Sequence, residues 1–280
     1  MLNDVTFGQY YPAQSFVHKL DPRLKLVFLI AYIVALFLAE TFYGLALCAV
    51  LLTVIIICSR VPFGSVLRSV KGIVFLLVFT SVLNLFFHGG EHLLVSWGII
   101  NIYLEGVLFA VFLMFRLIFL VLGSAVLTLT TTPVNLTDGV ESLLKPLALI
   151  KFPVHALALM MSIALRFIPS LMDETNRIIA AQKARGADFE TGNIAKRVKA
   201  VVPILIPLLI SAFRRADELG DAMEARCYSC CEHRTKYKKL RLGWRDGIAF
   251  IFGAALIAGV VLLNIYAFAV WPAAYPYVVI

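Results

Sequence analysis

Apolar residues in this chain come in long, nearly unbroken runs instead of the alternation of a half-buried strand. Five runs stand out: Leu24–Ala39, Phe42–Cys58, Gly72–Phe87, Gly106–Thr128 and Gly247–Trp271. A membrane-spanning helix needs about 20 mostly apolar residues, so each run predicts one. Only Glu40 and Thr41 part the first two, which predicts a tight hairpin. Asp21 and Pro22 mark the start of the first helix, and Trp271-Pro272 marks the exit of the last, at interface depth. Arg116 interrupts the fourth run near its middle, where a charge is costly and must face protein or a cavity.

Two shorter apolar stretches, Val154–Leu165 and Val201–Phe213, lie between the fourth and fifth runs. Pro153, His155 and Arg166 bracket the first, while Pro203 and Pro207 break the second. Parity allows both to be further spans, but the loop between them would then put six Lys and Arg beyond Arg166 outside, so they read as helices at or under the cytoplasmic face, buried against protein. Pro203 and Pro207 either make an elastic joint or end a surface helix.

The residues that follow each stretch have a helical period. Ile168, Leu171, Thr175, Ile178, Gln182 and Arg185 form one 3-4-3-4-3 stripe; Leu209, Ala212, Ala216, Leu219, Met223 and Arg226 form another. Each stripe ends on Ala-Arg: Ala184-Arg185, followed by Gly186, and Ala225-Arg226, followed by Cys227. Asp173, Glu174, Asn176 and Arg177 fall on the opposite face of one helix, and Arg214, Asp217, Glu218 and Asp221 on that of the other. Gly186 suits a left-handed helix end. Two readings stand side by side. Each arginine caps its own helix, or the pair presents bidentate, permanently charged forks to acidic sites on a partner.

Composition fixes the class. Of 280 residues, 61% are hydrophobic and 15% charged, with a mean hydropathy of +0.91. A soluble domain is about a quarter charged, so the chain is an all-α integral membrane protein, with about five transmembrane helices and a cytosolic domain of amphipathic helices. Three parts follow: residues 1–131 with helices one to four, 132–246 as the cytoplasmic domain, and 247–280 with the last helix. The net charge of +8 marks cytoplasmic loops rather than nucleic-acid binding. Of 25 Lys and Arg, only Arg116 lies in the interior of a span, Lys25 standing at the very start of the first run with the N-terminal cations, and the connections 40–41 and 88–105 carry none. Positive residues concentrate on the cytoplasmic side. The N-terminus is therefore expected inside and the C-terminus outside. The N-terminal residues lack the basic and apolar regions of a cleaved signal peptide.

Other chemistry is sparse. Cys227, Cys230, Cys231 and His233 are too cramped for an ordinary zinc site and have no second ligand pair. His18, His88, His92 and His155 share no ligand spacing. Arg116 is expected to bond backbone carbonyls or Asn84 of the third span. The GxxxxGK[ST] phosphate loop is absent, so the chain is not itself an ATPase. No paired acids at the membrane face favour an enzyme. No internal repeat favours a stand-alone channel or secondary transporter.

Four segments resemble one family. AQKARGADFE (Ala181–Glu190) and DAMEARCYS (Asp221–Ser229) resemble the paired Ala-Arg-Gly motifs of the T component of energy-coupling factor (ECF) transporters. DVTFGQYYP (Asp4–Pro12) with HKLDPRLK (His18–Lys25) is similar to that family's opening segment, and LTLTTTP (Leu127–Pro133) to its junction between membrane and coupling domains. The resemblance implies a transmembrane coupling subunit of a vitamin or metal-ion importer. Its partners would be two cytosolic ATP-binding-cassette ATPases, which bind the ATP and magnesium, and a membrane S component that binds substrate. The chain itself would hold no cofactor or metal. The resemblance carries the docking role onto Arg185 and Arg226. Cys227 departs from the motif's glycine, which implies that the second helix ends differently from the first.

Overall fold

The computed structural model describes residues 10–13, 15–87, 89, 92–97, 100–146, 152–187, 194–228 and 243–270. Its helices are α1 (Pro22–Leu38), α2 (Phe42–Ser59), α3 (Phe63–Lys71), α4 (Val74–Phe87), α5 (Leu104–Thr130), α6 (Pro133–Leu144), α7 (Val154–Ala184), α8 (Ile194–Ala225) and α9 (Trp244–Val270). A short antiparallel hairpin, β1 (Leu93–Trp97) and β2 (Ile100–Tyr103), sits between α4 and α5. The chain divides into two compact units. One holds residues 8–143 and 240–280, the other residues 1–7 and 144–239.

In the first unit, α1, α2, α5 and α9 share one core, built from Tyr32, Leu36, Cys48, Leu52, Val126, Leu129, Leu256 and Val260. Helix starts are capped as the sequence suggests. The Asp21 carboxylate accepts from the Arg23 amide at 3.0 Å, Pro22 follows it, and the Thr41 hydroxyl accepts from the Gly44 amide at 3.1 Å. One close approach demands a missing side chain. A Cβ on Gly123 would stand 2.7 Å from Cε1 of Tyr32, so glycine lets α5 lie against α1. Asp246, buried in the first turn of α9, accepts from the Asp21 amide (3.0 Å) and the Gly243 amide (2.7 Å), which ties the starts of α1 and α9 together.

The apolar runs do form helices, but their lengths differ from expectation. Helices α2, α5 and α7 are each long and apolar enough to cross a membrane. The pair α3 and α4, bent by 58°, makes a fourth if counted as one span. The 17-residue α1 and the apolar segment Ala249–Ile265 are shorter. Helix α7 is the correction: the sequence pattern brackets its apolar part at Arg166, whereas one helix of 31 residues runs through Arg166 and Pro169. Helix α8 likewise runs through Pro203 and Pro207, so neither proline ends it. An interior proline removes one backbone hydrogen bond and crowds the carbonyl one turn back, at a cost of about 3 kcal/mol, yet the helices of 31 and 32 residues continue through theirs.

Candidate functional site

The second unit contains α7 and α8, and their ends are built alike. At the end of α7, the Ala187 amide donates to the Gln182 carbonyl (3.0 Å) and the Gly186 amide to Lys183 (3.0 Å). At the end of α8, the Tyr228 amide donates to the Met223 carbonyl (2.9 Å) and the Cys227 amide to Glu224 (2.8 Å). Both are the six-to-one plus five-to-two pattern that closes a helix on a left-handed residue. Gly186 has φ +85° and Cys227 has φ +54°. The expectation that Cys227 makes the second helix end differently is therefore wrong. The hydrogen bonds impose the turn, and the cysteine bears the strain. Ala184 and Ala225 are the final helical residues, and Arg185 and Arg226 follow as exposed side chains.

The stripes hold in part. Ile168, Leu171, Thr175, Ile178 and Gln182 are all half-buried, as the 3-4 spacing requires. On α8, Ala212, Leu219 and Met223 are half-buried, but Ala216 is exposed and Leu209 is 58% exposed. Arg215 takes a place on the covered side instead. Its guanidinium donates to the Ser170 hydroxyl and the Glu174 carboxylate, one turn apart on α7. Glu174, placed by the sequence pattern on the solvent-facing side, is thus an inter-helix partner. Eleven residues separate Glu174 from Arg185, and eleven separate Arg215 from Arg226. At 1.5 Å per residue each arm is about 17 Å long. The geometry is a pinned pair of equal arms with a cation at each tip.

In the first unit, Arg116 and Asn84 are not brought together. Asn84 donates to the Thr80 carbonyl in its own helix at 2.8 Å. Arg116 donates to the Ala39 carbonyl, in the α1–α2 turn, and its guanidinium lies 4.6 Å from the centre of the Phe112 ring. Asn264 of α9, which no sequence pattern singles out, donates to the neighbouring Leu38 carbonyl. At the other end of α1, buried Lys25 donates to the Thr130 carbonyl (3.0 Å), the Thr131 hydroxyl (3.2 Å) and the His18 carbonyl (3.5 Å). Each of α1 and α5 therefore offers a cation to carbonyls at the other's C-terminal end, where the helix dipole favours it. The two contacts are 14 residues apart on both helices, about 21 Å. Periodicity gives no hint of Arg215, Lys25 or Asn264 as partners, because each joins elements distant in sequence.

Among the described residues no cluster of three His, Cys, Asp or Glu could hold a metal ion. Cys230, Cys231, His233 and His88 lie outside the described residues.

Apolar helices that hold a few inward-facing cations on backbone carbonyls, with a paired-helix unit ending in two exposed arginines, define a multi-pass membrane protein. Comparison with known proteins gives the family. The model of the family described as "Cobalt transport protein" matches residues 13–237. The chain is 49% identical over 267 residues to the energy-coupling factor transporter transmembrane protein EcfT of Clostridium kluyveri, covering 95% of this chain and 99% of that one. It is 46% identical over 256 residues to the protein of the same name from Ruminiclostridium cellulolyticum (90% and 96% covered) and 45% over 260 residues to that of Bacillus subtilis (92% and 98% covered). The chain belongs to this family, the energy-coupling transmembrane components of ECF transporters.

Proposed function

We propose that the chain couples two cytosolic ATP-binding-cassette ATPases to a membrane S component that binds a vitamin or other micronutrient. Arg185 and Arg226 each dock on one ATPase, with Ala184, Gly186, Ala225 and Cys227 shaping the turn that presents them. The carrying observation is that both helices close with the same hydrogen-bond pattern and leave an arginine exposed at the tip. A helix that merely capped itself would not need a second, distant helix to end identically at equal arm length. ATP and magnesium belong to the partner ATPases; this chain is the non-catalytic subunit and holds no cofactor. Val201, Val202, Leu205, Ile206, Leu209 and Ile210 line one exposed face of α8, an apolar surface suited to an S component or the bilayer rather than to water. The positive-inside count favours a cytoplasmic N-terminus and an external C-terminus. A dedicated cobalt or nickel system is the second reading, favoured by the description of the matching family model.

The test is co-purification of the ATPases, with uptake measured in cells. Truncating one partner of a desolvated charge pair costs about 2–5 kcal/mol. Either Arg→Ala change alone weakens docking, while the other tip keeps the second contact intramolecular. The double change R185A/R226A abolishes assembly and uptake while the protein still reaches the membrane. Normal transport by that double variant would reduce both arginines to caps.

A further inference from the structure

The first unit contains an apolar trough of about 410 Å³, walled by α1, α2, α5 and α9. Leu24, Phe28, Leu51, Ile55, Leu127 and Phe252 make its sides. That volume lies in the range of sites that hold a small apolar ligand, about 300–1,000 Å³. Two polar groups on its walls lack what buried groups ordinarily have.

Lys25 lines the trough and is 8% exposed. Its ammonium meets two carbonyls and a hydroxyl, and no carboxylate among the described residues pairs with it. A buried charge is normally paired with its opposite, so three neutral acceptors leave this one without a counter-ion. Tyr32, 2% exposed, lines the same trough deeper along α1, and its hydroxyl has no hydrogen-bond partner. The end of the bundle that carries Lys25 also carries Lys19, Arg23 and the exposed Arg60. Asp21 and Asp246 at this end are engaged by backbone amides, and Asp21 also lies 4.0 Å from the Arg23 guanidinium, so neither serves as the counter-ion of Lys25.

We propose that this trough is a binding site for one anionic glycerophospholipid, with an acyl chain between α1, α2, α5 and α9 and its phosphate at the Lys25 end. The apolar walls take the chain, and the phosphate supplies the charge that Lys25 lacks. Basic residues near the membrane surface favour anionic lipid in this way. A second protein helix would fill the trough without neutralising Lys25, which is why lipid is favoured over a protein occupant.

The experiment is native mass spectrometry of the full chain, delipidated in detergent and titrated with dioleoylphosphatidylglycerol or dioleoylphosphatidylcholine. The expected result is one retained phosphatidylglycerol, held at least about fivefold more tightly than phosphatidylcholine, the discrimination of roughly one basic residue. Ala249 also lines the trough and is only half-buried. Ala249→Trp therefore fills it without entering the core, and should remove the bound lipid while leaving the melting temperature in detergent unchanged. Lys25→Gln should keep chain binding but lose the preference between headgroups. Because Lys25 also holds the end of α5, Arg60→Gln, on an exposed side chain, is the independent check and should lower the preference about twofold or more. Equal retention of the two lipids by the unaltered chain would overturn the proposal. So would undiminished phosphatidylglycerol in Ala249→Trp, or a photo-crosslinker at Phe252 that captures a protein helix in place of lipid.

Discussion

Replacing Cys227 with glycine should stabilise the end of α8, and replacing Gly186 with alanine should destabilise the end of α7 by a similar amount. Cys227 has φ +54°, where an L side chain crowds the following carbonyl at a cost of about 1–2 kcal/mol. Glycine removes that cost, but it enlarges the freedom of the unfolded chain, which takes back about 0.4–1 kcal/mol. The Cys227 side chain is exposed, so no packing is lost. The net gain is then about 0.5–1 kcal/mol, or roughly two- to fivefold in the opening equilibrium of the last turn. At Gly186, with φ +85° and open space where a Cβ would stand, the same reasoning runs in reverse. Amide hydrogen exchange reads this directly at residues 227 and 228, whose N–H groups donate to Glu224 and Met223. Exchange should slow two- to fivefold in Cys227→Gly and quicken by a like factor at residues 186 and 187 in Gly186→Ala. A valine at 227, branched at Cβ, should quicken it further. If Cys227→Gly leaves exchange unchanged or faster, the left-handed turn at the end of α8 is not there, and the matched ends of the two arms go with it.

Three further outcomes are expected. Arg215→Ala should loosen α7 from α8 by about 1 kcal/mol, the upper range for an ion pair that water partly reaches; a spin-label distance between the arms would broaden, and Ser170→Ala should do less. Gly123→Val should force Tyr32 off α5 and lower the melting temperature, whereas Leu127→Val, without that close approach, should do little. The segment before α1 should loosen in acid. His18 bonds Ser15 (2.7 Å) and the Tyr11 carbonyl (3.0 Å), and desolvation holds its pKa below the ordinary 6.5, against the raising effect of the Tyr11 carbonyl and with a smaller lowering by Lys25. The unfolded segment therefore binds more protons just below pH 6.5, and the stabilisation, full above that pH, declines as pH falls from there toward the folded value. Limited proteolysis of the N-terminal segment at pH 7.5 and 5.5 tests this, and His18→Asn should remove the difference.

The hydrophobic runs reveal which segments are helices because burial in lipid requires long apolar stretches, and that requirement is local. Ala184-Arg185 and Ala225-Arg226 are legible for the same reason: a 3-4 period and a terminal residue are properties of one helix. Proline is a misleading signal here, since Pro169, Pro203 and Pro207 sit inside helices whose other hydrogen bonds carry on through them. Cys227 misleads too, because side-chain preference gives way to the pull of two backbone hydrogen bonds. Arg116 is recognisable as a costly charge, but its acceptor is not, since a backbone carbonyl has no letter in the sequence. Arg215 is the clearest case of information that exists only in three dimensions: its spacing from Ala212 and Leu219 puts it beside the stripe, unlike Arg214, but nothing along α8 names Ser170 and Glu174 as its partners.

The exchange of cations between α1 and α5 acts as a gauge. Lys25 reads the end of α5 and Arg116 reads the end of α1, at the same 14-residue interval. Sliding one helix along the other by a turn would move both cations about 5 Å off their carbonyls at once, and no shift restores one contact without breaking the other. Rotation about the line joining the two contacts breaks neither. The membrane unit is thus held against piston motion between these two helices, with tilt about that line the one relative movement that spares both contacts.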